Sequence, residues 1–132
     1  MKGNLIGVSY GIADAPGIRV SDDGALSFYS TVGNYRYYQI AHTSSAAYQS
    51  IGELLVCGFG TANSVGFFEI QNLNSAGANV ICSARANAGS GTQLDYTCIC
   101  TATTSAVDHI RIFSRTGNAA TGGKLVLSGV TF

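Results

Sequence analysis

The chain has 132 residues, no net charge, 46% hydrophobic residues and only 11% charged ones, about half of the ~25% of an ordinary soluble domain. That length suits one domain that buries its core without staples. Seven basic residues against seven acidic ones leave no electrostatic footprint for nucleic acid or an anionic membrane, and no apolar run approaches the ~18 residues that cross a bilayer.

Residues 1–15 read as an N-terminal arm: glycine-containing, poorly periodic, and suited to ordering on a partner. Leu5-Ile6-Gly7-Val8 is too short for the apolar segment of a secretion signal, and Asp14 and Pro16 soon follow. The expectation is a protein used in, or released from, a cytoplasm without export. Residues 16–132 are expected to form a single domain. Its first two strands, Ile18-Arg19-Val20-Ser21 and Leu26-Ser27-Phe28-Tyr29, flank Asp22-Asp23-Gly24-Ala25 as a hairpin. Tyr35 to Ala41 is the third, ended by His42-Thr43-Ser44-Ser45. Ser44 to Gln49 offers at most a turn or two of helix.

Gly52 to Phe59, Ser64 to Gln71, Asn79 to Ala86, Gln93 to Ala102, Asp108 to Ser114 and Lys124 to Phe132 complete nine strands separated by turn residues. In the last of them Leu125 and Leu127 alternate with Val126, so both faces are apolar. Such a strand lies centrally or against a neighbouring subunit. Nine short strands with glycine-rich turns predict an all-β, two-sheet antiparallel sandwich of jelly-roll type. The absence of tryptophan and the cysteine spacing exclude a true immunoglobulin domain.

Chemistry is sparse. A triad built from Asp108, His109 and a serine fails on paper, because neighbouring strand residues face opposite ways. The acids Asp14, Asp22, Asp23, Glu53, Glu69, Asp95 and Asp108 are scattered rather than paired for glycoside hydrolysis. Gly89-Ser90-Gly91, Gly58-Phe59-Gly60 and Gly122-Gly123-Lys124 lack the helix and Lys-Ser/Thr of a phosphate loop. Cys57, Cys82, Cys98 and Cys100 read as buried reduced thiols, with disulfides the alternative. No CxxC pair or histidine cluster suggests zinc. The expectation is a non-enzyme without cofactor or metal. Tyr35-Arg36-Tyr37-Tyr38 is the densest aromatic cluster. Its tyrosines either stack on sugar rings, or Tyr38 lies with Ile40 in the core while the others cap a sheet or line a subunit contact.

Three stretches carry a resemblance: Tyr48 to Val56; Gln93-Leu94-Asp95-Tyr96-Thr97 with Thr101-Ala102-Thr103; and Asp108 to Ile112 with Gly123 to Val130. Together they resemble the jelly-roll, carbohydrate-binding-module-like domains of secreted glycosidases and phage virion proteins. The chain departs from glycan-binding members in having no tryptophan. It also has Ser128-Gly129-Val130 where many carry an Asp-Asp-Val-like stretch associated with calcium. With its low charge, the chain resembles phage capsid decoration (cement) or tail-associated proteins. That resemblance implies a viral structural protein, assembled as a dimer or trimer in the virion, which binds major capsid or tail subunits. The expected contacts are Leu5, Ile6, Val8, Leu125, Leu127 and Phe132. The alternative is a glycan-binding module of a phage tail or cell-surface protein, with Tyr35, Tyr37 and Tyr96 stacking on the sugar.

Overall fold

The β-rich runs fold, in the computed structural model, into strands, ten among the described residues and no helix there: β1 (Lys2–Tyr10), β2 (Pro16–Ser21), β3 (Tyr35–Ala41), β4 (Ser44–Ile51), β5 (Leu54–Leu55), β6 (Ser64–Gln71), β7 (Ile81–Asn87), β8 (Gln93–Cys100), β9 (His109–Ser114) and β10 (Ala120–Ser128). The structure describes residues 1–12, 14–41, 44–55, 64–87 and 93–129, with the side chains of 41, 44–49, 55 and 64 outside the description. A larger sheet runs β10-β1-β6-β7-β8-β3-β4, and a smaller one runs β5-β2-β9, with β5 only two residues long. Every pairing is antiparallel. This is the antiparallel β-sandwich expected from the sequence.

Rows of side chains across the larger sheet explain the core. Leu125, Leu5, Gly66, Ala86 and Leu94 stand in one register row. Leu127, Gly3, Phe68, Ala84, Tyr96 and Gln39 form the next, and Ile70, Cys82, Cys98 and Tyr37 a third. These rows face Ile18, Val20, Leu54, Ile110 and Ile112 of the smaller sheet in one hydrophobic cluster. Asn79 closes one end, its side-chain amide donating to the carbonyls of Cys100 and Thr103 while Val107 N–H donates to Leu73.

The N-terminal arm is corrected: residues 2–10 are β1, hydrogen-bonded to β6 on one side and β10 on the other. Its apolar positions do not keep a period of two, because a bulge interrupts the register between Ile6 and Ser9. Gly7 sits there at φ 61°. The extra residue switches parity, so Gly3 and Leu5 point inward before it and Val8 and Tyr10 after it.

The hairpin over 18–29 is corrected too: 26–29 is not a strand, and Leu26 is 88% exposed. Asp23 explains this, since its carboxylate accepts from the Ser21 hydroxyl and from both the N–H and hydroxyl of Ser27. Such local bonds hold the chain in a turn and compete with a ladder. Ser44–Ile51 is a strand rather than helical, because β3 offers it a free edge. Of the expected strand over 52–59, Leu54–Leu55 is strand, and 56–59 lies outside the described residues. β10 begins at Ala120 rather than Lys124.

Candidate docking surface

Among the described residues, no layer lies on the second face of the larger sheet. Val126, Asn4, Phe67, Arg85, Asp95 and Ile40 follow one another in register across this face. Ile6, Val65, Phe67 and Val126, with Tyr38 and Ile40 further along, are each about half exposed. Arg85 and Asp95 neutralise each other between the two apolar areas, with Nε to Oδ1 at 2.7 Å and Nη2 to Oδ2 at 3.3 Å. An apolar face whose central charges are already paired costs little to desolvate against a protein.

The sandwich is also open at β10. This strand pairs only with β1, so the backbone groups on its outer side have no ladder partner among the described strands. It is exposed along its length except at the half-buried Leu125. Leu127 belongs to the inward row yet is 38% exposed, because the smaller sheet does not reach over this edge. A cleft of about 240 Å³ lies there, between Leu5, Val8 and Leu125 on one side and Ile112 and Phe113 on the other.

The sequence-derived contacts therefore divide. Leu5 and Val8 are corrected: at 1% and 8% exposure they are core residues, drawn inward by the pairing of β1 on both sides. Ile6, Leu127 and, in part, Leu125 are at the surface. Phe132 lies outside the described residues. Tyr38 and Ile40, expected in the core on one reading, are corrected to the surface by the parity of β3, and Val65 and Phe67 escaped the sequence reading. The signal was there in β6, where Val65-Gly66-Phe67-Phe68 is apolar on both faces.

The sugar-stacking tyrosines are corrected as well. Tyr35 is fully buried and Tyr96 is 5% exposed, while Tyr37 is half-buried with its ring 6.3 Å from that of Tyr96, edge to face. The parity of β3 places Tyr35 and Tyr37 inside the sandwich and turns Tyr38 out, and the parity of β8 places Tyr96 inside. Tyr35 has a structural task. Its hydroxyl accepts from Val20 N–H and donates to the Tyr29 carbonyl, bracing β3 against β2 across the core. Burial raises its pKa.

Most ionisable groups are committed to holding the chain. Asp14, fully buried, accepts from the N–H groups of Ala15, Thr116 and Asn118 and from the hydroxyls of Ser114 and Thr116. Burial alone would raise its pKa, but these donors hold it far below the usual carboxylate range. They tie the β9–β10 turn to the β1–β2 link. Glu53 accepts from Arg115 at 2.7 Å and lies 3.7 Å from Arg19, whose guanidinium stacks on Phe113. Asp22 accepts from Tyr29 and Thr103.

Asp108 and His109 do meet, at 3.0 Å, because Asp108 precedes the strand and escapes its alternation. Ser21, which stands opposite His109 in register, donates its hydroxyl hydrogen bond to Asp23. Cys82 and Cys98 are partners in register, and they and Cys100 are buried. Burial, and for Cys82 also the neighbouring Cys98, pushes the Cys82 and Cys100 pKa values up. Cys57 lies outside the described residues. Among the described residues, no group of three or more His, Cys, Asp or Glu side chains is placed to hold a metal.

Comparison with family models, with curated proteins and with solved structures returns no match. The functional reading therefore rests on the geometry of this surface.

Proposed function

We propose that the protein is a non-enzymatic viral structural protein, of the capsid decoration or tail-associated kind, which stabilises a particle by binding neighbouring subunits. The observation that carries this reading is the apolar face of the larger sheet around Ile6, Val65, Phe67 and Val126, which no layer covers among the described residues. Folding gains nothing from leaving Phe67 half in water, whereas a partner subunit gains about 25 cal/mol for each Å² it covers. The low charge supports the same reading, and so does the commitment of most carboxylates to structural hydrogen bonds. The virion setting draws on the resemblance to phage jelly-roll proteins. On a repeating lattice, modest single contacts sum to firm attachment.

The test is sedimentation of particles from cells that produce the chain. The protein should travel with the particle fraction in fixed stoichiometry. Phe67→Asp should leave it at the top of the gradient while circular dichroism and thermal midpoint stay unchanged. A wild-type chain found only in the soluble fraction would defeat the proposal.

A further inference from the structure

We infer that β10 is a self-pairing edge, on which a second copy of this chain docks antiparallel about a two-fold axis through Val126. The inference shares with the proposed function only the idea that this end of the sandwich is a docking surface.

Exposed edges in monomeric sheets are normally protected by charges, prolines or bulges. On β10 the protection is confined to one end. Gly123, at φ 95°, and the register irregularity near Ser9 distort the start of the strand. From Lys124 to Ser128 the register with β1 is unbroken. That regular stretch, Lys-Leu-Val-Leu-Ser, carries one charge, and the charge is at its end. It presents apolar side chains on both faces, with Val126 45% and Leu127 38% exposed. Its outward backbone groups have no strand partner among the described residues.

The sequence of the stretch is self-complementary in one register. A two-fold axis normal to the sheet at Val126 sets Val126 opposite its own copy on the outer face. It sets Leu125 opposite Leu127 of the second copy, and Leu127 opposite its Leu125, on the inner face beside the cleft. Lys124 then meets Ser128, so no like charges face each other. Centring the axis on Lys124 would oppose two lysines, a destabilising pair. An axis normal to the sheet also keeps inner faces on the same side, so the two larger sheets continue through the joint. Each Leu125–Leu127 pair extends the inward row and shields the apolar cleft walls that the smaller sheet leaves open. The contact is isologous, as closed dimers require.

The experiment is solution mass by light scattering over a concentration series from low micromolar to near millimolar, joined to cross-linking. Wild type should dimerise with rising concentration. Leu127→Lys should raise the dissociation constant at least tenfold, without changing the circular dichroism spectrum, since Leu127 is already partly in water. Val126→Cys should give a disulfide-linked dimer on mild oxidation with diamide, which Lys124→Cys and the wild type should not. A monomer at every concentration would overturn the inference, and so would a dimer insensitive to Leu127→Lys or cross-linking at 124 rather than 126. A monomer that still sediments with particles would overturn this inference alone. A dimer that never joins particles would instead count against the virion reading.

Discussion

Tyr35 shows how one residue can be read correctly for its type and wrongly for its use. A tyrosine in an aromatic cluster suggests a sugar platform, yet this one is buried, and its hydroxyl accepts from the Val20 N–H. Tyr35→Phe keeps the packing and removes that acceptor. The orphaned donor should cost about 1–3 kcal/mol, seen as a lower denaturant midpoint at unchanged slope. A midpoint equal to wild type would mean that the hydroxyl contributes nothing net.

Asp14 makes the complementary case. Its folded pKa is depressed by five donors that outweigh burial. It therefore contributes stability that is present above its unfolded pKa of about 3.9 and lost as pH falls below that value. Asp23, lowered to about 2 by Ser21 and then Ser27, acts in the same direction. Unfolding measured from pH 6 to pH 2 should show stability falling with acid. Asp14→Asn should lose roughly 2–3 kcal/mol near neutrality, because its amide turns a donor toward other donors. The variant should also show a shallower fall with acid. A parallel pH curve would exclude Asp14 as a source of the acid sensitivity.

At the scale of elements, β1 and β6 depend on close approach. A Cβ built on Gly3 would enter the Phe68 ring, which is fully buried. Replacing glycine by alanine in a strand gains about 0.4–1 kcal/mol from the unfolded chain, but displacing a packed ring costs about 1–3 kcal/mol. Gly3→Ala should therefore destabilise, with faster amide exchange concentrated in β1 and β6. A rise in stability would show that Phe68 moves aside freely. Elements rich in aromatic and β-branched residues were legible in the sequence: β3 and β6 were predicted at their observed bounds, and β9, where Ile110 and Ile112 alternate with His109 and Arg111, within one residue. β1 was hidden because its bulge breaks the period. The false strand over 26–29 had acceptable strand composition but lost to the hydrogen bonds of Asp23.

At the scale of the molecule, composition and spacing were enough for an antiparallel sandwich, because short strands with an apolar face have few other ways to bury it. The docking surface was only half legible. Both-sided apolar character marked β10 from the sequence, and the same signal in β6 pointed to Phe67. Deciding that β10 is an edge rather than a centre required knowing its neighbours. The sequence by itself determined the all-β sandwich class, since it follows from local periodicity and residue chemistry. Only the tertiary structure decided which side of each strand is inside, that the first strand lies between β6 and β10, and that one sheet face stays open among the described residues. Those outcomes depend on pairings between residues far apart in the chain, as when Leu5 meets Leu125, and no local pattern records such pairings.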